Sequence, residues 1–340
     1  MSKELIYNSI IEALIKYRKI VIVTHVNPDG DAMGSSLALY LLANKLGLEA
    51  KVIVPNDYPK FLAWMPAIQD VLVFDKTPEE AVKIMSEAEL FCYLDFNTPS
   101  RTGLMHNELC HLNQTPRLLI DHHIGADNSQ FVACYSETEI SSTSEMVAEL
   151  VKYQGFDKFL DNDIATNIIV GMITDTGTFS HSIFKNTFSI LGEILYATTV
   201  NYKKIHQNIY DTSTEDRLRL LGYLINDKME VLNEYNTAFI SISKAELDSF
   251  NYQNGDTEGV VNYPLSISNI KMSVLITEKQ DAIRLSFRSK DNFSVNDLAK
   301  KHFNGGGHQN AAGGTLICTL DQAVEKLKSI LPEYKELLVK

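Results

Sequence analysis

The sequence predicts an α/β fold: a parallel sheet with helices on both faces, followed by a smaller α/β or α+β domain. Two observations lead to this prediction. The first is a βαβ pattern, because a β-branched run at residues 19–24, a helical pattern at 32–46 and a second strand at 50–54 follow one another. Such a unit implies parallel strands and a right-handed crossover. The second is the length of 340 residues, which favours two domains over one core.

The alternation continues through the first domain. In chain order, the further elements predicted are a helix at 5–17, strands at 90–94 and 117–120, and helices at 142–153 and 161–173. The two strands end at Asp95 and Asp121, and the last helix runs into Asp175. Because ligands of open parallel sheets bind beyond the carboxyl ends of the strands, we expect these side chains at one binding edge.

The second half of the chain predicts a linker and a smaller domain. The pattern is helical and fairly polar at 189–223; beyond it come strands at 235–243, 270–277 and 282–289, a helix at 295–302, a glycine loop at 305–308 and a helix at 320–338. The predicted organisation is therefore a first domain at 1–188, a helical linker at 189–223 and a second domain at 224–340.

Composition restricts the classes of function. The net charge of −12 argues against broad binding of long nucleic acid, which needs a basic stripe, but it allows a small phosphorylated substrate at a local positive site. The four cysteines are scattered, so we expect neither a zinc finger nor a disulfide framework. With no signal-peptide pattern and no apolar run near ~18 residues, the expectation is a cytoplasmic protein without membrane contact.

Carboxylate and imidazole side chains follow the predicted strands in several motifs. They are His25, Asp29 and Asp31 in the first loop, Asp95, the run Asp121-His122-His123, and Asp175. Any one of them, taken alone, is better explained by a helix N-cap or a structural histidine. Together they predict a cation site, because two unit charges ~4 Å apart repel by about 4 kcal/mol at an effective dielectric near 20. This donor set favours Mn²⁺ or Mg²⁺, with Zn²⁺ and Co²⁺ as alternatives.

The ordered set of motifs resembles that of the DHH phosphoesterases. The matching residues are His25-x-x-x-Asp29-x-Asp31, Asp95, Asp121-His122-His123 and Asp175. The loop Gly305-Gly306-Gly307-His308 with Ala311-Ala312-Gly313 resembles the signature of the type-1 DHH-associated domain. The resemblance covers nearly the whole chain in the family's order and spacing. In length, the chain is similar to the family's compact two-domain members, which degrade short oligoribonucleotides and dephosphorylate 3′-phosphoadenosine 5′-phosphate.

The resemblance implies a two-metal active site, with Mn²⁺ the expected ion, in a cleft between the domains. It assigns His25, Asp29 and Asp95 to one ion, and Asp31, Asp95, His122 and Asp175 to the other. The catalytic residues would be His123, which contacts the scissile phosphate, Asp121, which orients a metal ligand or the loop, and the shared Asp95. The substrate contacts expected are Arg101, His123, Arg288, Gly305, Gly306, Gly307 and His308.

Two other functions stay open from the sequence. One is a phosphodiesterase of linear or cyclic dinucleotides, because the scissile group is the same. The other is a nucleotide-binding regulator without catalysis, which the intact acidic set disfavours. The expected partners are short single-stranded RNA and 3′-phosphorylated nucleotides, and a homodimer is common for enzymes of this size.

Overall fold

A computed structural model of the chain describes residues 2–153 and 155–339. The chain divides into two units, Met1–Thr212 (unit 1) and Ser213–Lys340 (unit 2). The division falls inside the stretch predicted as a linker, and the exact domain boundaries stay a prediction. Among the residues described, none of the helices combines the length and the apolar character that crossing a membrane requires.

Unit 1 is built on a sheet of six parallel strands. They are β1 (Lys19–Val23), β2 (Glu49–Val54), β3 (Leu72–Val73), β4 (Leu90–Leu94), β5 (Arg117–Asp121) and β6 (Ala133–Ser136), in the spatial order β3-β2-β1-β4-β5-β6. The predicted parallel sheet is therefore confirmed. The order reverses between β1 and β4, because the chain builds outward from β1 through β2 and β3 before β4 pairs with the other side of β1.

Helices cover both faces of this sheet. They are α1 (Lys3–Lys16), α2 (Gly30–Lys45), α3 (Pro78–Ser86), α4 (His106–His111), α5 (Thr143–Val151), α6 (Asn162–Asp175), α7 (Thr187–Ala197) and α8 (Tyr202–Tyr210). Alternate residues of β1 enter opposite cores: Ile20 and Ile22 pack with α2, and Val21 and Val23 with α3. Such two-sided burial explains why β1 is a continuous apolar run without alternation.

Unit 2 is a second sheet of six strands with helices. The strands are β7 (Met229–Leu232), β8 (Thr237–Ile242), β9 (Met272–Glu278), β10 (Ile283–Ser289), β11 (Gly306–Gly307) and β12 (Ala311–Leu316), in the order β11-β12-β10-β9-β8-β7. The helices are α9 (Glu215–Asn226), α10 (Lys244–Ser249), α11 (Val295–His302) and α12 (Leu320–Val339). Only the β8–β9 pair is parallel, so the sheet is mixed.

The predicted elements of the second half are confirmed in outline. The alternation in β10 buries Ile283, Leu285 and Phe287 on one face, as expected. The helical stretch at 189–223 is not one continuous linker helix, because it breaks between α7 and α8 and again between α8 and α9. The strands β7, β11 and β12 and the helix α10 were not predicted; β11 lies within the predicted glycine loop.

Candidate metal centre

The segments that carry the predicted ligands converge at the carboxyl ends of β1, β4 and β5. His25 follows β1, and Asp95 directly follows β4. Asp121 is the last residue of β5, and His122 and His123 come next. This edge contains the point between β1 and β4 where the strand order reverses, and doubly wound sheets bind ligands there because the loops after the strands diverge.

Two helices complete the same edge. Asp29 is the N-cap of α2, and its Oδ1 accepts hydrogen bonds from the N–H groups of Asp31 (3.0 Å) and Ala32 (3.1 Å). Asp31 lies in the first turn of α2, and Asp175 is the last residue of α6. Asp29 is thus a helix cap, as the simpler interpretation allowed, and it also contacts the ligand cluster.

The first ligand group consists of His25, Asp29 and Asp95, whose candidate donor atoms all lie within 4.8 Å of one another. His25 Nδ1 lies 2.9 Å from the carbonyl oxygen of Val26, which can only accept, so Nδ1 carries the proton. His25 Nε2 faces Asp95 Oδ2 at 3.4 Å. An unprotonated Nε2 and a carboxylate oxygen repel each other at this distance, so a proton or a cation is needed between them.

The second group consists of Asp31, His122 and Asp175, again within 4.8 Å. His122 Nε2 lies 3.9 Å from Asp31 Oδ2 and 3.6 Å from Asp175 Oδ2. The same nitrogen is 3.4 Å from Asp95 Oδ1. Asp95 therefore presents one oxygen to each ligand group, which is the arrangement that a carboxylate shared by two cations requires.

Burial and crowding shift the protonation of the cluster. Burial first, and then the charges of Asp95 and Asp175, raise the pKa of Asp31 well above its ordinary value. Burial opposes ionisation of Asp95 too, but hydrogen bonds with His122 and His25 hold its pKa well below the ordinary value. Burial alone lowers the pKa of His122, yet the Asp175 charge and the Asp95 hydrogen bond raise it well above.

The directions of these pKa shifts indicate that the site favours cations. The pKa values of His25 and His122 are raised despite burial because buried carboxylates favour positive charge beside them, and Asp31 and Asp95 are only 1% and 2% exposed to water. Both groups contain oxygen and imidazole donors and no thiolate. That chemistry suits Mn²⁺, Mg²⁺ and similar divalent cations. The acidic and histidine groups of this edge can thus hold metal ions.

The first turn of α5 also binds this cluster, a contact that was not predicted from the sequence. The backbone N–H of Thr143 donates to Asp31 Oδ2 (2.7 Å), and that of Ser144 donates to Asp31 Oδ1 (2.8 Å). The Thr143 hydroxyl donates to Asp95 Oδ1 (3.0 Å). Two free N–H groups at a helix N-terminus stabilise an anion, so α5 offsets part of the cost of burying Asp31.

A second series of hydrogen bonds orients His123. Its Nδ1 lies 2.8 Å from Asp121 Oδ1, and Asn97 Nδ2 donates to Asp121 Oδ2 at 2.8 Å. Asp121 is fully buried, so these two partners satisfy a carboxylate that water cannot reach. The bond between Nδ1 and Asp121 fixes the orientation of the His123 ring. Asn97 was not predicted; its position two residues after Asp95 is the only sequence signal that points to it.

Of the other predicted substrate residues, Arg101 belongs to unit 1, and Arg288 and His308 belong to unit 2. The Arg101 backbone carbonyl accepts a hydrogen bond from Val26 N–H at 2.7 Å, which ties its segment to the first motif. In unit 2, Arg288 pairs with Ala311 across the β10–β12 ladder, and Ala311 O accepts from His308 N–H at 2.7 Å. Arg288 and His308 thus belong to one corner of the second sheet.

The three glycines of the loop are not equivalent. A Cβ on Gly305 would overlap the backbone of Gly313, and a Cβ on Gly307 would lie 2.8 Å from the Ala312 Cα. These two positions need glycine because β12 packs against them. At Gly306 the nearest atoms to such a Cβ are 3.5 Å away or more, so the fold leaves room there. Contact of this loop with the substrate stays a prediction.

Together, these features define an α/β protein with an acidic, histidine-containing centre at the switch point of a doubly wound sheet. Residues 19–172 match the N-terminal domain of the DHH family, and residues 236–339 match the DHHA1 domain. The chain belongs to the DHH family of phosphoesterases and is therefore a hydrolase. The resemblance inferred from the motifs is confirmed, whereas the roles of the individual residues stay predictions.

Similar proteins extend over nearly the whole chain. A bifunctional oligoribonuclease and PAP phosphatase from Thermus thermophilus is 29% identical over 92% of this chain and 89% of its own length. A cyclic-di-AMP phosphodiesterase from Bacillus subtilis is 25% identical over 96% of this chain but only 49% of its own. The crystal structure of an exopolyphosphatase-related protein from Bacteroides fragilis aligns over 100% of both chains, with a TM-score of 0.92 and 39% identity.

Proposed function

We propose that this protein is a Mn²⁺-dependent phosphoesterase that removes 5′-mononucleotides from the 3′ ends of short oligoribonucleotides and dephosphorylates 3′-phosphoadenosine 5′-phosphate. The observation that carries this proposal is the position of Asp95, whose two oxygens face the two ligand groups. The bifunctional relative from Thermus thermophilus, which matches almost end to end, supports the substrate class.

Two ions would be held by side chains from both groups. His25, Asp29 and Asp95 would bind the first; the second would be bound by Asp31, Asp95, His122 and Asp175. When bound, such ions supply a hydroxide nucleophile near neutral pH and neutralise the charge that develops on the phosphoryl oxygens. Asp95 would fix the distance between the two ions because it binds both of them.

His123 would contact the scissile phosphate. Asp121 fixes the orientation of the ring by accepting a hydrogen bond from Nδ1. A histidine held in this way can donate a hydrogen bond to a phosphoryl oxygen. Asn97 limits rotation of the Asp121 carboxylate and thereby of His123.

Arg101 and the corner of unit 2 would bind the rest of the substrate. A guanidinium such as that of Arg288 suits bidentate contact with a phosphate, and a glycine loop suits backbone N–H donors. A chain with a net charge of −12 offers little attraction to a long polyanion. Short substrates are therefore favoured, because a few local cationic groups suffice to bind them.

A second candidate is a phosphodiesterase of linear or cyclic dinucleotides. The match to the cyclic-di-AMP phosphodiesterase covers 96% of this chain, so both units have counterparts in an enzyme with that substrate. The two candidates share the same hydrolytic centre and differ in what unit 2 must hold. A substrate panel separates them.

The test is product analysis with purified full-length protein and Mn²⁺. The panel contains 3′-phosphoadenosine 5′-phosphate, a diribonucleotide, a pentaribonucleotide, RNA of about 24 nucleotides and cyclic-di-AMP. We expect chelator-sensitive release of AMP and mononucleotides, fastest on the short substrates, and no Mn²⁺-dependent turnover by Asp95→Asn. Turnover of cyclic-di-AMP alone would instead establish the second candidate, and undiminished activity of Asp95→Asn would contradict the shared-carboxylate assignment.

A further inference from the structure

Thr143 is the one residue of the α5 turn that contacts two carboxylates of the cluster. Its backbone N–H donates to Asp31 Oδ2 at 2.7 Å, and its side-chain hydroxyl donates to Asp95 Oδ1 at 3.0 Å. All three residues are buried, so water does not compete for these bonds. A single residue therefore donates hydrogen bonds to both carboxylates.

The turn that carries Thr143 is anchored independently of the cluster. The Ser142 hydroxyl caps α5 by accepting from Glu145 N–H at 3.0 Å. The buried Glu145 carboxylate accepts hydrogen bonds from Ser141 N–H (3.3 Å), from the Ser141 hydroxyl, and from the Thr187 hydroxyl (2.9 Å). Because Glu145 ties this turn to α7, the position of Thr143 is set by the surrounding fold.

We propose that Thr143 is a positioning residue that fixes the spacing between Asp31 and Asp95, and so sets the affinity of both metal sites. The inference rests on the proposed metal centre and extends it to a residue that donates no lone pair to an ion. Supporting hydrogen bonds of this kind typically account for about 10–100-fold in metal affinity or activity.

The hydroxyl of Thr143 positions Asp95 and its backbone N–H positions Asp31, and the two effects can be tested separately. Substitution leaves the N–H bond to Asp31 in place, whereas the bond to Asp95 needs a side-chain donor. A hydroxyl has one hydrogen to donate, and here it points at Oδ1, the oxygen that also faces His122. Without this donor, Asp95 can rotate about its side-chain bonds, and its two oxygens lose their fixed assignment to the two ligand groups.

Two variants test the inference. Thr143→Val keeps the shape and removes the hydroxyl, and Thr143→Ser keeps the hydroxyl and removes the methyl group. Mn²⁺ binding is measured by titration calorimetry on the full chain without substrate, alongside the Mn²⁺ concentration for half-maximal activity. We expect about 10-fold weaker binding for Thr143→Val and a change of less than about 2-fold for Thr143→Ser.

Thr237→Val is the matched control. Thr237 is also a fully buried threonine, but its hydroxyl donates to the Tyr235 carbonyl in unit 2. It should bind Mn²⁺ like the unsubstituted protein. The result that would overturn the inference is equal Mn²⁺ affinity in Thr143→Val and the unsubstituted protein.

The remaining outcomes are also decisive. If Thr143→Val does not fold, Thr143→Ala takes its place because alanine also lacks the hydroxyl: about 10-fold weaker Mn²⁺ binding supports the inference, and unchanged binding overturns it. If the unsubstituted protein binds no Mn²⁺, the proposed metal centre itself is wrong. Failure of the inference and failure of the proposed function are thus distinguished in one titration series.

Discussion

Asp95 is constrained in both its backbone and its side chain. Its φ of 65° lies in the left-handed region, which costs a non-glycine residue of order 1–3 kcal/mol and persists only where neighbours enforce it. Its carboxylate contacts His25 and His122 and accepts from the Thr143 hydroxyl. Such strain at a buried carboxylate with several hydrogen-bond partners is typical of preorganised functional sites, because little rearrangement is needed when a ligand binds.

At the same scale, Asn97→Ala should disturb the orientation of His123 without weakening metal binding. Removing the amide frees one oxygen of Asp121, which then no longer holds the His123 ring in one orientation. We expect kcat on 3′-phosphoadenosine 5′-phosphate to fall about 10-fold, with Mn²⁺ affinity changed less than about 2-fold. Steady-state kinetics and a Mn²⁺ titration measure the two effects.

Asn162→Ala is the control for the asparagine substitution. Asn162 bonds Thr199 at the start of α6, whereas the ligand Asp175 is at the opposite end of that helix. It should leave kcat unchanged. If Asn97→Ala weakened Mn²⁺ binding as much as it lowered kcat, Asp121 would act on the ions and not through His123.

At the scale of elements, the close approach of α2 and α6 determines where two of the candidate ligands lie. A Cβ on Gly34 would be 2.5 Å from Asn167 O and 2.9 Å from Gly171 N, so the two helix backbones are nearly in contact. These helices carry Asp31 and Asp175, respectively. The distance between the helices therefore sets the distance between the carboxylates.

Gly34→Ala and Gly192→Ala should change stability in opposite directions. At Gly34 the added methyl group must push α2 from α6, and overpacking of this kind costs about 1–3 kcal/mol. Gly192 lies in α7 with no atom within 4 Å of an added Cβ, so alanine should stabilise by about 1 kcal/mol through helix propensity. Urea unfolding of both variants measures the change; destabilisation by Gly192→Ala, or none by Gly34→Ala, would contradict the packing argument.

The elements also show which parts of the structure a sequence can predict. β1, β4 and β5 are apolar runs that end at chemically distinctive residues, so both the sheet and its binding edge were predictable. β12 was missed because Ala311–Leu316 contains two glycines and two alanines and has no clear alternation; its pairing with β10 defines it. Thr143 was missed because its partners Asp31 and Asp95 are 112 and 48 residues away.

At the scale of the whole molecule, the chain consists of two units with separate cores. The sheet of unit 1 has an apolar cluster on each face, and unit 2 has two clusters of its own. The members of the two ligand groups described above, His25, Asp29, Asp31, Asp95, His122 and Asp175, belong to unit 1. A ligand that binds only the folded state stabilises the unit that holds it, so cations should act on unit 1 directly.

Hydrogen exchange of the full chain with and without Mn²⁺ tests this expectation. At a free Mn²⁺ concentration of about 100 times Kd, binding adds ~2.7 kcal/mol to the stability of the folded state, which corresponds to roughly 100-fold slower exchange of amides that exchange by unfolding of that unit. We expect this slowing in α2, α5 and β4 of unit 1, and little change in β9, β10 and α12 of unit 2. Chelator should reverse the slowing, and Asp95→Asn should not show it.

Equal slowing of exchange in both units would mean that they unfold as one. No slowing in α2 and α5 would place the cation elsewhere, because the N–H groups of the α5 turn bond directly to the Asp31 carboxylate.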